Sequence, residues 1–209
     1  AERGGDARRV CGVACADKPL ALGAGARMAE RQADIGEGAG GGEYRQKVST
    51  FPKGAQSGEV GMDGETGVDR MAGFTAVDDF GQILNPMLVA GQVHGGIVQG
   101  LGQAMGEHAV YDANGQLVTG SFMDYWMPRA GDFPDFNVSY NEIPSTSNAL
   151  GVKGAGEAGT VGAPAAFINA MIDALRPSGI EDTDEPRTPL ALWTLLPRRR
   201  QRARLFAAV

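Results

Sequence analysis

Residues 86–106, "PMLVAGQVHGGIVQGLGQAMG", restrict this chain more than any other stretch. Asn85-Pro86 is a helix entry, because proline in the first turn lacks an N–H that would have no partner there anyway. The spacing predicts a helix running to about Gly106 or Glu107. Yet the segment holds six glycines: Gly91, Gly95, Gly96, Gly100, Gly102 and Gly106. Each costs about 1 kcal/mol against alanine in a helix interior, so roughly 5–6 kcal/mol has to be offset. At helical spacing Gly91, Gly95, Gly102 and Gly106 fall on one stripe. Val93, Ile97, Leu101, Ala104 and Met105 form a broad apolar arc, and Gln92, Gln99 and Gln103 edge the glycine stripe. A bare stripe admits another backbone or a ligand at close range. Tight helix packing with the glutamines in water accounts for the same pattern. His94 falls on the apolar arc and reads as a core or edge residue rather than a ligand; His108 reads as a surface residue.

The second unusual stretch is "GVKGAGEAGTVG", residues 151–162, with Glu157 as its one carboxylate. "GAGEAG" matches the G-x-G-x-x-G dinucleotide pattern, which requires a buried strand before it and a second strand after the following helix. The preceding "EIPSTSNALGVK" is turn-like and the later "RPSGIEDTDEP" is charged and turn-forming, so the context fails on both sides. No Gly-Lys-Ser/Thr follows, which excludes a phosphate loop of the Walker type. The remaining readings take Glu157 as an acid facing a ligand, a general base, or as a cap or first-turn acid of the next helix.

Composition divides the rest. Residues 1–49 are dominated by Ala, Gly, Arg, Asp and Glu and show no sustained period, so they read as poorly ordered or foreign to the domain. Residues 50–196 read as the domain proper, and 197–209 as a basic tail. Within the domain we expect a strand, a turn at Asp63-Gly64 and Thr66-Gly67, and a second strand over 68–77. After the glycine-bearing helix come a turn at Asn114-Gly115, a strand in "FNVSYNEIP", a helix from about Thr160, and a short helix in "EPRTPLALWTLL". Hairpin-connected strands with two main helices predict an α+β fold. The 25 acidic and 19 basic residues, net −6, argue against nucleic acid as the main partner. No apolar run is long enough for a membrane span and no signal peptide is evident, so a cytoplasmic location is expected. Cys11 and Cys15 alone are too few ligands for a zinc site, and no metal ligands are assigned.

Three motifs in order, "VDDFGQILNPMLVAGQVHGGIVQGLGQAM", "GSFMDYWMPRA" and "GVKGAGEAGTVGAPAAFINAMIDAL", resemble the C-terminal part of the molybdenum hydroxylase large subunit. This is the family of xanthine dehydrogenase, aldehyde oxidase and aerobic carbon monoxide dehydrogenase. The resemblance covers about Thr50 to Leu196. It implies a molybdopterin-binding domain, with the cofactor in its simple or cytosine dinucleotide form. It implies Glu157 as the catalytic general base toward a water-derived oxygen. It also implies Gln99, Gly95, Gly96, Gly156 and Ala158 as cofactor-binding residues. Expected partners are the remainder of the large subunit, an iron–sulfur small subunit, an FAD-binding medium subunit and a small-molecule substrate of the aldehyde, purine or N-heterocycle type. The chain is far shorter than that subunit, and the earlier pterin motifs are absent from it. The alternative is therefore a non-catalytic remnant or interaction domain without cofactor.

Overall fold

The computed structural model describes the backbone of Arg9–Ala16 and all of residues 48–196. The sheet contains β1 (Arg9–Ala16), β2 (Lys53–Met62), β3 (Asp69–Asp79) and β4 (Phe136–Tyr140), in that spatial order. β1 pairs antiparallel with β2, and β2 pairs antiparallel with β3. β1 lies inside the segment that composition sets apart as lacking strand character. Pairing supplies what the sequence period does not, since an edge strand is held by backbone hydrogen bonds. The rest of residues 1–47, and the basic tail, lie outside the described residues.

The turn between β2 and β3 follows its chemistry. Asp63 accepts from the N–H of Glu65 and the hydroxyl of Thr66, and Gly67 adopts φ +72°. Buried side chains alternate along β2 at Gln56, Gly58 and Val60. In β3 the alternation slips, because Met71 and Phe74 are both buried. A bulge opposite Glu59 and Val60 absorbs the extra residue and returns both to the inner face.

One expectation is corrected. β4 joins β3 in parallel, so not every strand is hairpin-connected: the β3-to-β4 connection is a crossover that carries α1 (Pro86–Met105). A parallel neighbour requires such a crossover, and the short, polar-alternating β4 gives no sign of direction in its sequence. The α+β class stands, with one parallel edge.

The helix α1 occupies the span its entry signal predicts. The Asn85 side chain accepts from the N–H of Leu88 at 3.1 Å. α2 (Ala163–Leu175) packs over β1 and β2 and against α1, presenting Ala163, Ala166, Phe167, Ala170, Met171, Ala174 and Leu175. This i, i+3, i+4, i+7 pattern is rich in alanine, which lets the helix sit close to its neighbours. α3 (Pro189–Leu195) is capped by Thr188, whose hydroxyl accepts from the N–H of Ala191, and buries Leu192. Val93, Ile97 and Leu101 from α1, Phe167 and Leu175 from α2, and Val60 and Phe74 from the sheet form the core.

Candidate functional site

The glycine loop lies along the middle of α1, from Gln92 to Gly100. Gly159 has φ +83°, a conformation that favours glycine, and a Cβ there would stand 2.6 Å from the carbonyl oxygen of Val93. The Thr160 hydroxyl donates to the Gly96 carbonyl at 3.0 Å, and the Gln92 side-chain amide donates to the Gly156 carbonyl at 2.6 Å. Gly96 and Gly100 are the positions that make this approach possible. A Cβ on Gly96 would collide with the Ala158 carbonyl, and one on Gly100 would sit 2.8 Å from that of Thr160.

The glycine stripe therefore divides by function. Gly102 and Gly106 are covered by Glu107, Pro128 and Trp126. Gly91 and Gly95 have nothing within 4 Å. Beside them Gln99 is exposed. Gly95, Gln99 and Gly156 are each exposed. Gly96 and Ala158 are buried against each other instead, so the close approach at Gly96 is made by the loop itself. His94 is exposed and packs edge-on against Phe136, with centroids 5.9 Å apart. His108 is exposed.

Glu157 is exposed at a turn that precedes α2. The helix begins at Ala163 rather than near Thr160, and its N-cap, Gly162, receives no side-chain bond. Glu157 stands five residues before that cap, beyond the first turn where the helix dipole acts, so it is neither cap nor first-turn acid. The glycines between Glu157 and α2 turn rather than wind because Gly159 is held in a left-handed conformation against α1.

The base of the loop is anchored to β3. Lys153 pairs with Asp79, both nearly buried. Burial pushes the Asp79 carboxyl up, but bonds from Lys153 and from the N–H groups of Gly81 and Ile143 outweigh it and hold it below the usual carboxylate range. Gln82 N–H donates to the Gly151 carbonyl, and Lys153 N–H to that of Phe80. Asn148 binds Val152 at both its N–H and its carbonyl.

Beneath Glu157 lies a cleft of about 40 Å³, walled by Glu157, Ala158, Gly159, Val161 and Gly162 on one side and by Lys53, Gly54, Gln56 and Asp78 on the other. Gln56 and Asp78 are each 4% exposed. Burial pushes the Asp78 carboxyl up to about 6. Sequence reading placed Gln92 at the edge of the glycine stripe but missed Lys153, Asp79, Gln56 and Asp78 as neighbours of the loop. "VDDFG" and "GVKG" carried the signal for the Asp79–Lys153 pair, but only the fold shows that residues 74 positions apart meet. Among the described residues no cluster of three or more His, Cys, Asp or Glu is placed to hold a metal ion.

A family model described as the molybdopterin cofactor-binding domain matches residues 21–134. The nicotine 6-hydroxylase large subunit of Paenarthrobacter nicotinovorans is 42% identical over 139 residues, 66% of this chain and 17% of that protein. The carbon monoxide dehydrogenase large chain of Hydrogenophaga pseudoflava is 35% identical over 147 residues, 70% of this chain and 18% of that one. Among solved structures, a Cu,Mo carbon monoxide dehydrogenase superimposes with a TM-score of 0.70 at 35% identity, covering 73% of this chain and 19% of that one. Quinoline 2-oxidoreductase of Pseudomonas putida 86 gives 0.70 at 36% identity, covering 75% and 20%. The chain thus spans less than a quarter of the length of these relatives.

Proposed function

Because this chain belongs to the molybdopterin cofactor-binding molybdenum hydroxylase family, we propose that it supplies one wall of the cofactor site of such an oxidoreductase, with Glu157 as general base. The observation that carries this reading is the placement of Glu157. The glycine loop is bonded to α1 through Gln92 and Thr160, and its exposed Glu157 directly follows Gly156, whose carbonyl Gln92 holds.

The face of α1 left bare at Gly91 and Gly95 fits a large polar anion. Gln99 offers an amide that donates and accepts without charge. Gly95 and Gly156 have nothing within 4 Å of a would-be Cβ, so a ligand can reach the backbone. When bound, the molybdenum cofactor, in its simple or cytosine dinucleotide form, would accept the electrons of hydroxylation. Gln99, Gly95 and Gly156 would hold it, and Gly96 and Ala158 would set the loop against α1. Glu157 would take up the proton of the attacking water-derived oxygen on its carboxylate. The substrate is a small aldehyde, purine or N-heterocycle. Electrons leave through iron–sulfur and FAD-binding subunits, and the assembly works in the cytoplasm. Among the described residues no helix is long and apolar enough to cross a membrane.

The test supplies the rest of the large subunit and its partner subunits. Glu157→Gln is expected to abolish turnover while cofactor content stays near that of the native protein. Gln99→Ala is expected to lower cofactor retention. Undiminished turnover in Glu157→Gln would remove the base assignment, and absence of pterin from the native assembly would remove the cofactor reading.

A further inference from the structure

Glu157 stands in a loop whose own residues give it little rigidity. Gly154, Gly156 and Gly159 lie around it, and its carboxylate makes no hydrogen bond or ion pair among the described residues, so its placement rests on its backbone. The Ala158 N–H donates to the Ala155 carbonyl at 3.2 Å, which makes residues 155–158 a β-turn with Gly156 and Glu157 at its centre. The peptide joining those two residues is the one that can reverse in such a turn, and Gly156 hinders the rotation least because it has no Cβ. Reversal would carry Glu157 to a positive φ, which it does not have. One side chain grips that peptide: the Gln92 amide donates to the Gly156 carbonyl at 2.6 Å. One helical turn further along α1, the Gly96 carbonyl accepts from the Thr160 hydroxyl at 3.0 Å. Helix positions four apart are neighbours on one face, so the loop is tied to a single face of α1 on both sides of Glu157.

We propose that Gln92 is a positioning residue for Glu157: its amide holds the central peptide of the turn that carries the carboxylate, and so fixes the point and direction from which the carboxylate leaves the loop. The proposal rests on the reading of Glu157 as general base. A base takes its proton only over hydrogen-bond distance, so a displacement of about 1 Å costs rate without costing ligand binding. Gln92 suits the task in two respects. It projects from a helix whose next residue, Val93, is fully buried, so its own backbone is fixed. Its amide is neutral, so it grips the carbonyl without adding a charge one residue from the carboxylate. Gln92 is itself exposed, so the core does not depend on it. The Thr160 bond and the contact of Gly159 with α1 remain when Gln92 is replaced, so its loss frees the turn without releasing the loop from the helix.

The full chain, isotopically labelled, gives the first readout by NMR, which needs no cofactor. Gln92→Met keeps the length of the side chain and loses its donor. In that variant the backbone amides of Glu157 and Ala158 are expected to gain ps–ns mobility while those of Val93 and Ile97 stay rigid. If Gln92→Met does not fold, Gln92→Glu at pH 8, whose carboxylate is no donor, takes its place. The second readout uses the enzyme assembled with the rest of the large subunit and its partner subunits. There Gln92→Met is expected to lower kcat roughly tenfold to a hundredfold, with KM and cofactor content near those of the native enzyme. Unchanged mobility at Glu157 and Ala158 in the folded variant would overturn the proposal. Cofactor loss in step with kcat would overturn it too, since Gln92 would then be holding the cofactor rather than the turn. A native kcat in Gln92→Met alongside a turnover-dead Glu157→Gln enzyme defeats this inference alone, whereas an active Glu157→Gln enzyme defeats the base assignment on which it rests.

Discussion

Asp69 is raised to about 6 from 3.8 by burial, only partly relieved by a backbone hydrogen bond, and its Oδ2 has no donor. An acid raised on folding binds its proton more tightly in the folded chain than in the unfolded one. Stability therefore falls as pH rises from about 4 through about 6, and the cost is complete above that window. Two pKa units correspond to an upper figure of about 3 kcal/mol. Asp69→Asn is expected to raise the melting temperature at pH 8 and to leave it nearly unchanged at pH 3.5; equal shifts at both values would show that Asp69 is not desolvated. Asp79 has the opposite sign. Its carboxyl is lowered, so its contribution is present above the unfolded value and is lost as pH falls below it. Lys153→Met leaves Asp79 with only the N–H groups of Gly81 and Ile143, a buried charge without its counter-ion. The expected loss is about 3 kcal/mol in denaturant unfolding at pH 7.

At the scale of the element, the glycines of α1 separate by experiment. Gly91→Ala and Gly95→Ala meet open space in a helix, so each is expected to stabilise the isolated chain by about 1 kcal/mol. Gly159→Ala faces both a left-handed backbone and the α1 main chain, and is expected to cost roughly 2–4 kcal/mol. Urea midpoints check all three. If the open face holds cofactor, Gly95→Ala lowers cofactor retention in the assembled enzyme even as it stabilises the chain. How much of this was legible follows from the kind of signal. Asn85-Pro86 fixed the start of α1 because entry chemistry is local. The glycine excess announced close approach, but not which glycine met the loop and which stayed open, since both fit a helical period. The parallel β4 and the β1 edge were invisible, because direction and pairing belong to partners distant in sequence. The loop around Glu157 stood out in the sequence as one carboxylate among glycines. The cleft beneath it was not legible, because Gln56 and Asp78 each sit in an ordinary strand and become a pair only when the register places them diagonally on one face.

For the whole molecule, two kinds of surface coexist. The interior is closed around Phe74, Ile97, Leu101, Phe167 and Leu175, all 0–1% exposed, which supports a single cooperative unfolding transition. Outside it, Met87 is 76%, Phe122 77% and Met123 92% exposed. Large apolar side chains left this open mark surfaces that another segment covers. The relatives are about five times longer than the aligned region, as the 17–20% coverage requires, so the covering segment is expected to be the remainder of the large subunit. The isolated chain should then melt cooperatively and yet bind a hydrophobic dye below its melting temperature, a combination that a molten chain does not give. Phe122→Ser with Met123→Ser should reduce dye binding without lowering the melting temperature, since neither side chain touches the core. The same double variant should weaken association with the rest of the subunit when the two are expressed separately. Dye binding unchanged by these substitutions would place the apolar surface elsewhere. A broad, non-cooperative melt would instead favour the reading of this chain as a remnant that binds no cofactor.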